Sequence, residues 1–170
     1  MAAAINTNLG TLLINTYASN PVQNASGLDK GVQIQDLATC AIPAAATDLA
    51  GSLYKFCQVR SNEIPIFVEF SSTALTAGAL SIGLYETNSS TVAESVTANK
   101  QLFATSVNCA AAVAQVNERF TNLALTTFGQ RVWQLLGLAA DNGKTYDLVA
   151  TSTTAATVAG TLAMRYSYTV

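Results

Sequence analysis

From Ser52 onward the chain is a succession of short segments rich in β-branched and aromatic residues, broken by turn signals at intervals of roughly 8 to 15 residues. Stretches of that length favour pleated strands over helices, because a helix needs a sustained 3.6-residue apolar period to bury a face. The strand candidates are Val32 to Leu37, Leu53 to Arg60, Ile64 to Phe70, Ala79 to Glu86, Leu102 to Val107, Val113 to Phe120, Thr145 to Ser152 and Thr161 to Val170. In Ala79 to Glu86 the residues Leu80, Ile82 and Leu84 fall on one face, and Pro65 stands at a strand start, where its missing N–H is tolerated. Asp141-Asn142-Gly143 is a turn, after which Thr145 to Ser152 is expected to pair with Thr161 to Val170 as a hairpin.

A single segment departs from this rhythm. Val132, Leu135 and Leu136 sit at helical spacing with Gly137 as a natural stop, which predicts one short helix. Residues 1 to 30, rich in Asn, Ser, Ala and Gly, read as an extended N-terminal arm, and 31 to 170 as the folded domain. The fold class that follows is all-β: a jelly-roll-like antiparallel β-sandwich with one short helix.

Composition narrows the function. Half of the residues are hydrophobic, so a core of ordinary size is available. Charged residues are 11%, against about 25% in soluble domains generally, and a surface so poor in charge suits burial against partners. A net charge of −2 argues against nucleic acid, whose phosphates demand clustered Lys and Arg. No run of ~18 apolar residues is present to cross a bilayer, and the N-terminal segment lacks the basic region of a secretion signal. The two glycosylation sequons, at Asn24 and Asn88, therefore carry no weight.

The chain contains no histidine, which removes Ser-His-Asp and Cys-His nucleophiles and His-ligated zinc together. Cys40, Cys57 and Cys109 lack metal or redox spacing and read as small buried hydrophobes of a protein folded in a reducing cytosol. Phosphate-cradling glycine loops are missing, and no cofactor is expected. The best case for paired carboxylates is Glu69 with Glu86 on neighbouring strands; surface ion pairing is the expected alternative.

Gly51-Ser52-Leu53-Tyr54 through Val59-Arg60-Ser61-Asn62, Thr76-Ala77-Gly78 through Gly83-Leu84-Tyr85, Leu102-Phe103-Ala104, and Trp133-Gln134-Leu135-Leu136-Gly137-Leu138 are four motifs in one order. Together they resemble those of small capsid cement, or decoration, proteins of podovirus-type tailed bacteriophages. The resemblance covers roughly residues 50 to 170. It implies a non-enzymatic β-sandwich made in the host bacterial cytoplasm and bound to the capsid exterior. The implied partners are the major capsid protein and the chain itself, as a homodimer before a homotrimer, with no nucleic acid and no membrane. Contacts are expected from the arm, through Ile5, Leu9, Leu12, Leu13 and Ile14, and from the loops at Asn88 and Asp141. A tail fibre or adhesin module binding a host glycan is the alternative with the same composition.

Overall fold

A computed structural model describes residues 33–43, 49–87 and 99–170, together with the paired backbone of Asn8–Leu9. Nine strands are formed among them: β1 (Asn8–Leu9), β2 (Ile34–Ile42), β3 (Leu53–Arg60), β4 (Ile64–Ser72), β5 (Ala79–Glu86), β6 (Asn99–Asn108), β7 (Val113–Asn117), β8 (Thr145–Thr154) and β9 (Gly160–Thr169). One helical turn, α1 (Val132–Leu135), lies in the connection from β7 to β8, after two 3-10 turns at Glu118–Phe120 and Leu125–Thr127.

The strands make two antiparallel sheets, ordered β1-β2-β9-β4-β7 and β3-β8-β5-β6. Pairing is nested: β2 with β9, β3 with β8, β4 with β7 and β5 with β6. This is the pattern of one long hairpin rolled over on itself, the jelly roll. Alternation along β2 sends Ala38, Cys40 and Ile42 inward, where they meet Leu162, Met164 and Tyr166 of β9 and the apolar faces of β3, β5 and β8.

The expected hairpin between the last two strands does not form. β8 lies between β3 and β5 in the second sheet, whereas β9 lies between β2 and β4 in the first. Its central position gives β8 a hydrogen-bonded partner on each side, and its residues are buried without interruption from Tyr146 to Ser152. The Thr/Ala/Ser-rich link crosses the sandwich, and the turn chemistry of a crossover is the same as that of a hairpin. Val113 to Phe120 is likewise not one strand. It stops at Asn117, whose side chain accepts the N–H groups of Val68 (3.3 Å) and Arg119 (3.1 Å) and turns the chain into the first 3-10 turn.

The expected helix is present as α1, ended by Gly137 at φ +71°, a left-handed conformation that glycine adopts without steric cost. All three cysteines are free thiols. Cys40 is pushed up to about 11 by burial, and Cys57 and Cys109 are raised for the same reason first, which keeps them protonated and unreactive.

Candidate assembly surface

Between Lys100 and Arg131 the chain holds two charged residues, Glu118 and Arg119, and both are buried. Thirty consecutive residues (101–130) thus present no charged side chain to solvent, although they include the edge strand β7 and the long connection after it. Three large apolar side chains of this stretch are exposed, Val116 of β7 and, most fully, Leu125 (75%) and Phe128 (63%) of the connection.

Arg119 holds Leu125 and Phe128 there. Its guanidinium is fully buried and donates from Nε to the Pro65 carbonyl at the start of β4 (3.0 Å) and from Nη2 to the Thr127 carbonyl (3.0 Å). One planar fork thereby ties the second 3-10 turn to the sheet, which an ammonium could not do with the same geometry. Desolvation lowers the Arg119 pKa, yet the group stays cationic because arginine starts so high. Its cation lies 4.9 Å from the centre of the Phe120 ring, and that ring stacks on Phe128 at 6.2 Å. Glu118 accepts from the Thr121 hydroxyl (2.6 Å), and Asn122 covers the free edge of β6 by donating to the carbonyls of Phe103 (3.1 Å) and Gln101 (2.6 Å). The tip is built to be rigid, and a rigid apolar anchor loses little conformational entropy on docking.

A second feature lies on the outer face of the five-stranded sheet. Leu37, Glu69, Ser71, Gln115, Ala163 and Arg165 line an open concavity of about 220 Å³. Leu37 and Glu69 flank Arg165 in register, and the Arg165 guanidinium donates to Glu69 Oε2 from Nε (2.7 Å) and Nη2. Glu69 and Glu86 are not on neighbouring strands: β4 and β5 belong to different sheets, and Glu86 pairs with Lys144 at 2.8 Å. The two carboxylates therefore cannot face one another across a sugar, since the strand pairing that would bring them together does not exist.

Of the contact residues expected from sequence, Asp141 is in an exposed turn, but Oδ1 is engaged within the chain. It accepts from the Ser61 hydroxyl and from the Gly143 N–H (2.9 Å), and these bonds hold the carboxyl below its ordinary pKa. Leu9 is in β1, with its backbone opposite Ala38 of β2. Ile5, Leu12, Leu13, Ile14 and Asn88 lie outside the described residues. Sequence reasoning missed Leu125, Phe128 and Arg119. The run from Gln101 to Gln130, charged only at Glu118 and Arg119, was the available signal, but the run does not reveal that both of these side chains are buried.

Among the described residues no three of His, Cys, Asp and Glu gather as metal ligands, and no helix is long and apolar enough to cross a membrane. No protein-family model and no curated protein matches the chain. Among solved structures it is similar to a chain of a cyanophage Pam1 capsid asymmetric unit, with 15% identity and a TM-score of 0.37 over 91% of this chain and 99% of that one. A likeness that faint leaves the functional reading to the residues themselves.

Proposed function

We infer that this chain is a non-enzymatic structural protein of a phage virion, a cement protein that binds the outside of the major capsid shell. The observation that carries the reading is the uncharged surface of residues 101–130 with Leu125 and Phe128 presented on a rigid support. Charge depletion at the centre of a contact patch is the compositional mark of an interface, because no ions need be stripped of water there. The resemblance of the four motifs to decoration proteins supports the same reading. A cement protein has no bond to break; it stabilises the assembled shell by binding it and not the dissociated subunits. It is expected to work as a homo-oligomer, dimer before trimer, because a closed symmetric unit matches the repeated sites of a shell.

The test is to mix purified protein with expanded capsids that lack it and then heat them. Saturable binding at a fixed ratio per capsomer with a higher rupture temperature is expected. The Leu125→Asp, Phe128→Asp variant should bind at least ~30-fold more weakly, as about 2 kcal/mol of anchor energy is lost. Wild-type protein that leaves capsids unbound but is retained on a glycan array would overturn the cement reading in favour of an adhesin.

A further inference from the structure

The turn between β3 and β4 buries a carboxylic acid. Glu63 is 3% exposed, and its Oε2 has no hydrogen-bond partner. The Tyr166 hydroxyl beside it is close enough to favour the ionised form but is not aligned as a hydrogen bond. The titratable and charged groups that act on Glu63 or on the tyrosines beside it are Asp36 of β2, Cys57 and Arg60 of β3, Tyr166 and Tyr168 of β9, and, from the first 3-10 turn, the buried Arg119, whose charge acts on Tyr166. Arg60, the cation that acts on Glu63 itself, is exposed, so water screens much of its charge. A carboxylate in such a place is poorly solvated. Burial first, and Asp36 to a lesser degree, push the Glu63 carboxyl from the ordinary 4.5 to about 7, against the Arg60 backbone N–H and the Tyr166 hydroxyl, which lower it.

The same turn holds α1 in place. Val132 N–H donates to the Glu63 carbonyl (2.9 Å) and Trp133 N–H to the Ser61 carbonyl (3.0 Å). The charged groups on that side, Arg131 and Asp141, are exposed, and Asp141 is held by the Ser61 hydroxyl. Glu63 thus belongs at once to the buried cluster and to the acceptor that seats α1.

We propose that Glu63 is a protonation latch: neutral, its side chain stays buried and the turn grips α1; ionised, the side chain moves to water, the turn shifts and α1 is released. The tip bearing Leu125 and Phe128 is four residues ahead of α1 at its nearer end, so release loosens that surface as well. The latch does not depend on the capsid reading and is tested without capsids.

The sign follows from linkage. A carboxyl bound more tightly to its proton when docked contributes stability that is fully present below about pH 4.5 and is lost as pH rises through about 7. Hydrogen exchange of the Val132 and Trp133 amides in the intact protein, corrected for intrinsic rates, reads the opening equilibrium directly. It should rise roughly tenfold per pH unit between about 4.5 and 7 and level off above. Emission of the single tryptophan, Trp133, reads the opened fraction and should change only in the upper part of the same pH range, where the opened form becomes populated. Glu63→Gln should make both readouts independent of pH. Asp36→Asn, which leaves Glu63 in place should the first variant fail to fold, should move the upper break to lower pH. Two amides indifferent to pH in the wild-type protein, a dependence that survives in Glu63→Gln, or a break unmoved by Asp36→Asn each overturn the latch.

Discussion

Arg119→Ala is expected to lower the unfolding free energy by about 3 kcal/mol, the combined effect of lost hydrogen bonds from a charged donor and lost packing of its stem. In a domain of this size that is a fall in Tm of about 6 to 12 °C. The damage should be uneven. With the fork gone, the Pro65 and Thr127 carbonyls lose their buried donor, and Phe120 and Phe128 lose the cation that seats their stack. Exchange of the Phe128 amide, which donates to the Leu125 carbonyl at 3.1 Å, should therefore accelerate more than that of the strand cores. Arg119→Lys keeps the charge but reaches one carbonyl where the guanidinium reaches two, so it should recover less than half of the loss. A Tm within a degree of wild type for Arg119→Ala would remove the pre-organised tip from the account, and with it the best support for docking through Leu125 and Phe128.

Gly83→Ala is expected to be the most damaging Gly→Ala change among the described residues. Gly83 is central in β5, opposite Val149 of β8, and a β-carbon there would overlap the backbone of Asn99 and Lys100, where β6 begins. Backbone does not rotate aside as a side chain does, so strand β6 must shift. Overpacking costs about 1–3 kcal/mol when side chains can give way, and the upper end or beyond is expected here, a fall in Tm of about 6 °C or more. Gly137→Ala is the control. Nothing lies within 4 Å of the added atom, and the cost is the left-handed backbone alone, about 1–2 kcal/mol. Differential scanning calorimetry of the two variants separates the mechanisms, and equal losses would show that Gly83 has no crowded neighbour in solution.

Much of the secondary structure was legible. Leu53–Arg60 and Ala79–Glu86 form with the boundaries their alternation predicts, because one apolar face and a turn signal at each end agree on register. The helix at Val132 was legible for a similar reason: three apolar residues at helical spacing and a glycine past the end have no competing reading. The docking surface was far less visible. Leu125 and Phe128 look like loop residues in any sequence pattern, and exposure is a property of what fails to pack against them. Glu63 and Arg119 sit in polar, turn-like surroundings, yet the rolled sheets close over both.

The division has a physical basis. Period-2 alternation, turn residues, the absence of histidine and the scarcity of charge are carried by residues and their near neighbours, so the sequence by itself determined an all-β chain and set aside imidazole chemistry. Which strands pair is set by contacts between residues as far apart as Gln35 and Ser167, through the burial that each arrangement achieves. No local rule separates a hairpin from a crossover, and only the tertiary structure placed β8 and β9 in different sheets. The same closure carried an acid and a guanidinium out of water, and the work of each side chain follows from where the sheets left it.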